Sequence, residues 1–252
     1  MRKTFVIISV SDRVEQLNDL VETIIGNPQF EGYDINLLYQ DYLGNKDNIA
    51  NKWAYKHIYT APQKLGCHGA RVTLLRQIVD DYDVFINLDD DMLLTKYTNY
   101  EKAIEKALEP ATGFVLTNWA RTEELMMKKV PSMEDKFVKQ ALVYQGGGMV
   151  YKQEVAKLMA SLKAEHAMFD DIWPVTTYIN GYDNYRYLGS LAIHMICTKG
   201  GMNLYMAEND LPVLCKDYIN YRMCKDGKNV HIPLDSDLNS HARELHKKNY
   251  KG

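Results

Sequence analysis

Val84-Phe85-Ile86-Asn87-Leu88-Asp89-Asp90-Asp91 is the stretch on which the fold turns. A short, nearly continuous apolar run rich in β-branched and aromatic side chains has the composition of a strand buried on both faces. Such strands belong to parallel sheets covered by helices on either side. The three carboxylates at its end need a separate explanation. Residues i and i+2 of extended backbone point the same way, so Asp89 and Asp91 present two carboxylates to one point, roughly 6 to 7 Å apart at the backbone. Left unneutralised, the pair repels by about 2 to 3 kcal/mol at an effective dielectric near 20, and Asp90 adds to this. Hard oxygen ligands with room left for water or phosphate oxygens are what Mg²⁺ and Mn²⁺ take at nucleotide sites. The plain alternative is a solvated turn, and the position of the three aspartates in the chain decides between the two.

Working back from that strand, Phe5–Val10 forms an earlier apolar run, followed by Ser11-Asp12-Arg13. Val14, Leu17, Val21, Ile24 and Ile25 then repeat at helical spacing, and Asp12 with Glu15 has the pattern of a capping box. Asn27-Pro28 closes that helix. Tyr33–Tyr39 alternates as a second strand and leads to Gln40-Asp41. Residues 45–65 are polar and aromatic without a period, and Ala70, Leu74, Leu75, Ile78 and Val79 mark a second helix from near Gly69. The order strand, helix, strand, helix, strand predicts an α/β fold whose ligand lies beyond the carboxyl ends of the strands, where Ser11, Asp41 and the three aspartates would gather.

Working forward, Tyr100, Ala103, Ile104, Ala107 and Leu108 predict a helix and Gly113–Thr117 a strand. Arg121–Lys139 is a charged segment expected to be a loop with some helix. Gln145–Tyr151 is a glycine-led strand, and Val155, Leu158, Met159 and Leu162 mark a further helix. Asp170 is placed to cap a helix over Ile172–Ile179 with Pro174 in its first turn.

The 252 residues suit one large α/β unit, and the formal charge of −3 carries no global footprint for nucleic acid or an anionic membrane. Four cysteines, Cys67, Cys197, Cys215 and Cys224, show no C-x-x-C spacing, which predicts free thiols in a reducing cytoplasm. No stretch approaches the 18 or so apolar residues of a membrane span. A soluble cytoplasmic protein is expected, in the host cytoplasm if the gene is a phage's.

Together, Val6–Arg13, Asp41, Gly66-x-x-x-Ala70-Arg71, Val84–Asp91, Gly146–Tyr151 and Asp170-Asp171 resemble the GT-A glycosyltransferases, in particular the family-two group of inverting enzymes. The resemblance implies a single Rossmann-like domain, its mostly parallel central sheet flanked by helices. It also implies a nucleotide-sugar-binding half over residues 1–95 and an acceptor-binding half over 96–252. Ser9, Ser11, Arg13 and Asp41 would surround base and ribose. Arg71 would pair with the first aspartate or with phosphate, its plain alternative being a surface helix residue, and His68 would line the donor pocket. Asp89 would face ribose and metal, Asp90 the donor, and Asp91 would ligate Mn²⁺ or Mg²⁺ directly. His241 would complete the metal site, with His231 as the other candidate. Asp171 would be the general base, its carboxyl raised toward a useful range by neighbours such as Trp173, beside a capping Asp170.

The implied reaction is sugar transfer, with inversion, from a nucleoside diphosphate sugar, UDP-linked in the first instance, to a hydroxyl. A sugar-phosphate nucleotidyltransferase would share the sheet and the aspartates but would carry a glycine-rich basic loop where this chain has Ser11-Asp12-Arg13. A non-catalytic nucleotide-binding protein would have no need of the two acidic groups. For the acceptor, Trp119, Arg121, Lys128, Lys129, Lys136, Lys139, Tyr182, Tyr185, Arg186 and Tyr187 offer phosphate partners and stacking faces of the kind a phage enzyme acting on hydroxymethylcytosine in DNA needs. A glycan or lipid-linked saccharide is the other acceptor class.

Overall fold

The computed structural model describes residues 1–121, 133–140, 148–164 and 169–194. Among these, strands β1 (Lys3–Val10), β2 (Asp34–Gln40), β3 (His57–Ala61), β4 (Val84–Asp89), β5 (Met92–Leu94), β6 (Thr112–Arg121), β7 (Phe137–Gln140), β8 (Met149–Lys152) and β9 (Asp183–His194) join in one sheet. Its order is β3-β2-β1-β4-β8-β6-β9-β5, with β7 added to β9. The first four are mutually parallel. β8 runs antiparallel between β4 and β6, β6 and β9 are parallel, and β5 and β7 run antiparallel to β9. This is the α/β architecture expected, with the antiparallel pairings confined to the half beyond β4.

The helices are α1 (Val14–Ile25), α2 (Gly66–Ile78), α3 (Glu101–Ala107), α4 (Gln153–Ala160) and α5 (Phe169–Ile179). β1 shows why both faces are covered. Phe5 and Ile7 point into a core with Leu17, Leu20, Val21 and Ile24 of α1 and Ala103 and Ile104 of α3. Val6 and Ile8 point into the opposite core with Val72 and Leu75 of α2, Val155 of α4 and Trp173 of α5. Each fully buried aliphatic or aromatic side chain contributes about 1.5 to 3 kcal/mol, and period-two alternation divides that gain between the two faces.

Several local expectations differ from the structure. β3 lies within the stretch that shows no period, because an edge strand half open to solvent has no apolar face to announce it. α2 begins at Gly66, whose φ of 72° is left-handed, three residues before the apolar spacing becomes visible. The capping box does not form: Arg13 holds the N-cap position of α1 with no side-chain cap, and the Asp12 carboxylate instead accepts the Tyr42 hydroxyl. α5 starts at Phe169, so Asp170 and Asp171 lie inside its first turn and Pro174 is its sixth residue. The segment expected to be a loop opens with the end of β6 and closes with β7; residues 122–132 lie outside the described residues.

Candidate functional site

The sheet order reverses beside β1. The chain leaves β1 for β2 on one side and later returns through β4 on the other. Their register sets Ile8 opposite Asp89, so the turn after β1 and the turn after β4 emerge side by side at a topological switch point.

The three carboxylates of this turn take different sets of partners. The Asp90 carboxylate is buried and accepts the Ser9 hydroxyl at 2.7 Å and Arg13 Nη1 at 2.9 Å. The same Arg13 nitrogen donates to Asp91 Oδ2 at 3.0 Å. Asp89 accepts Arg71 Nη2, and the whole Arg71 side chain is 0% exposed, beneath the site. Burial is the largest influence on Asp90 and pushes its carboxyl up to about 6, against the Arg13 guanidinium, which pulls it down.

The third member of the cluster comes from far along the chain. Strand β9 pairs with β5 so that His194 stands opposite Met92, next to Asp91. His194 Nε2 lies 3.4 Å from Asp91 Oδ1, and one ligand atom from each of Asp89, Asp91 and His194 lies within 4.8 Å of the others. Around an octahedral ion with bonds of about 2.1 Å, neighbouring ligands stand about 3 Å apart and opposed ones about 4.2 Å, so a small closing movement brings these three into range. The imidazole shifts preference from Mg²⁺ toward a transition ion, while two carboxylates keep the set on the hard side, where Mn²⁺ lies. Asp89 has a second oxygen for the ion while the first serves Arg71.

Of the residues singled out from sequence, Ser9, Arg13, Arg71, Asp89, Asp90 and Asp91 converge here. Ser11 and Asp41 build the adjoining loop. Ser11 Oγ donates to the Gln40 carbonyl at 2.9 Å and accepts the Leu43 amide at 3.2 Å, while Asp41 Oδ1 accepts the amides of Asn45 at 2.7 Å and Lys46 at 3.2 Å. His68 is buried, its Nδ1 accepting the Trp173 indole N–H at 3.1 Å and its Nε2 meeting the Lys163 carbonyl at 2.7 Å. That pairing, with Trp173 stacked on Phe114, joins α2 to α5, whose first turn carries Asp170 and Asp171. The side chains of those two aspartates, and all of His231 and His241, lie outside the described residues. His194 was not anticipated. The signal was an apolar run, Leu191-Ala192-Ile193, ending in a ligand-type residue just as β4 does.

A sheet covered on both faces, with an acidic turn at its switch point, is the GT-A arrangement, and solved structures bear out the fold. GalNAc-T7 in complex with UDP, GalNAc and Mn²⁺ superposes with a TM-score of 0.61 at 10% identity, over 79% of this chain and 44% of that one. TarS of S. aureus with UDP-GlcNAc gives 0.57 at 13% identity, over 81% of this chain and 61% of that one. The mannosyltransferase PcManGT of Pyrobaculum calidifontis with GDP-Man and Mn²⁺ gives 0.56 at 12%, over 79% and 58%. The chain thus spans about half the length of these structures. No family model and no curated protein matches the sequence. Among the described residues no helix is long and apolar enough to cross a membrane.

The pairing of Arg71 with Asp89 yields a first expectation. Asp89→Ala takes a carboxylate from a guanidinium with no access to water, and unfolding in urea without metal should show a loss of about 2 kcal/mol, the scale of a hydrogen bond between charged groups. An unchanged midpoint at equal slope would mean that Arg71 does not depend on Asp89.

Proposed function

We propose that this chain is a metal-dependent glycosyltransferase that moves a sugar from a nucleoside diphosphate sugar to a hydroxyl acceptor. The observation that carries it is the convergence of Asp89, Asp91 and His194 at the switch point of a GT-A sheet. Asp89, Asp91 and His194 would hold the cation, and a bound cation supplies charge for the leaving diphosphate. Electrostatics explains why it is needed. Among the described residues, the three carboxylates against the two guanidinium groups of Arg13 and Arg71 carry one net negative charge, which repels a diphosphate. A divalent ion reverses the sign. His241, further along the chain, would add another ligand.

Ser9, Arg13 and Arg71 then orient the donor from below, and Ser11 and Asp41 shape the loop beside its base. The Asp170-Asp171 turn of α5 supplies the carboxylate that takes the acceptor proton, Asp171 first, which makes the transfer inverting. For the acceptor we favour a saccharide hydroxyl over a base in DNA. Tyr187 is buried against Phe137 and Tyr185 lies under Lys106, so two of the rings that would stack on an extruded base are already engaged. Lys139 is paired with Asp183 at 2.7 Å.

The test is a thermal-shift panel of UDP- and GDP-linked sugars with and without Mn²⁺, followed by a search for mass-shifted products on saccharides and on hydroxymethylcytosine DNA. A donor at a hundred times its dissociation constant stabilises by about 2.7 kcal/mol, an upward shift of about 5 to 11 °C for a chain this size. The proposal fails if no nucleotide sugar shifts the transition in the presence of Mn²⁺.

A further inference from the structure

Arg13 occupies an unusual position for a residue expected to touch base or ribose. A single nitrogen, Nη1, donates to Asp90 at 2.9 Å and to Asp91 at 3.0 Å, and the three side chains are only 13%, 6% and 7% exposed. Asp90 is not among the residues that converge for a cation. It is turned into the fold and held from behind by Ser9. Asp91 belongs to both groups: its Oδ2 faces Arg13, its Oδ1 faces His194.

We propose that Arg13 is a resident counter-cation of the metal site, anchored by Asp90, that neutralises Asp91 when no metal is bound and must release it for a metal to bind. The inference rests on the glycosyltransferase reading of the site and adds to it a regulation of metal affinity.

The physical argument is competition for one carboxylate. A guanidinium and a divalent ion on the same buried carboxylate repel each other with little screening, so binding of the ion is coupled to withdrawal of Arg13. Ser9 and Asp90 keep the guanidinium from leaving far, because the Arg13–Asp90 contact, backed by the Ser9 hydroxyl, remains when the Asp91 contact opens. Once released from Asp91, the guanidinium still stands beside the ion, where an incoming diphosphate needs a planar donor. Arg13 thus raises the metal concentration at which the site fills and favours filling by metal and nucleotide together. Asp90 and Ser9 are positioning residues that act through Arg13.

The experiment measures Mn²⁺ affinity without nucleotide by calorimetry, checked by the free-Mn²⁺ electron paramagnetic resonance signal, and then UDP affinity at saturating Mn²⁺. Three variants are compared with the parent protein. Arg13→Lys keeps the charge, but its nitrogen ends one bond short of Nη1 and loses the bridge. Arg13→Gln removes the charge. Ser9→Ala alters no charge and loosens only the anchor. Expected are roughly tenfold tighter Mn²⁺ binding for Arg13→Lys and Arg13→Gln and a smaller gain in the same direction for Ser9→Ala. UDP affinity at saturating Mn²⁺ should fall about tenfold in Arg13→Gln. Parent-like Mn²⁺ affinity in Arg13→Lys and Ser9→Ala overturns the proposal whatever Arg13→Gln does, since a simple field effect would spare both. Should Arg13→Lys not fold, Ser9→Ala decides alone. Failure of the parent to bind Mn²⁺ even with UDP present is a different result, and it overturns the glycosyltransferase reading along with the inference.

Discussion

Asp91→Ala is expected to abolish Mn²⁺-dependent binding of UDP while leaving the fold in place. Asp91 is buried, faces His194 with one oxygen and Arg13 with the other, and is the aspartate common to the cation cluster and the arginine bridge. Its removal deletes a ligand, which should cost at least the hundredfold that loss of a supporting neighbour can cost. The fold tolerates it because Arg13 keeps Asp90 as its partner at 2.9 Å and because carboxylate repulsion at the turn is relieved. This contrasts with Asp89→Ala, which takes a carboxylate from the fully buried Arg71. Calorimetric titration with UDP, with and without Mn²⁺, reads the first effect, and urea unfolding separates the two variants. Retention of the full Mn²⁺ enhancement in Asp91→Ala would remove it from the metal site.

Asp171→Asn is expected to retain donor and metal binding and to lose transfer by about a hundredfold or more, the range a general base contributes. Asp170→Asn should be milder. Both residues sit in the first turn of α5, and that helix is fastened to the donor side through the Trp173–His68 hydrogen bond at 3.1 Å and the stacking of Trp173 on Phe114. An asparagine at either position preserves volume and helical backbone, so a fall in turnover with unchanged UDP affinity isolates the chemistry. The reverse ranking would move the base to Asp170. Full turnover in both variants would show that neither carboxylate removes the acceptor proton.

The parts of the fold legible in the sequence are those whose side chains are sorted by burial on two faces. β1, β2 and β4 announce themselves because nearly every position must be apolar, and α1 because its buried residues fall at helical spacing. The acidic turn was legible for a local reason too: charges that end a buried strand need a partner nearby. β3 was hidden by its place at the edge. β9 was hidden by bulges in its pairing with β6 and by tyrosines and an arginine that resemble a loop. His194 was missed for a related reason. Its neighbour in space, Asp91, is set by the register of β5 on β9, and a register between distant strands leaves no mark in local spacing. Arg13 lies beside the aspartates, but its bridge between Asp90 and Asp91 depends on rotamers that no spacing encodes.

The union of β5 with β9 also bears on the order of events in folding and unfolding. Only three residues of β5 pair there, and they close a loop of about a hundred residues between Asp91 and His194, an entropic cost that local contacts do not repay early. A contact of that kind belongs late on the folding route. A cation bridging Asp89 and Asp91 to His194 would then act as a removable cross-link on a short seam, leaving the rate of folding nearly unchanged and slowing the rate at which the native chain comes apart.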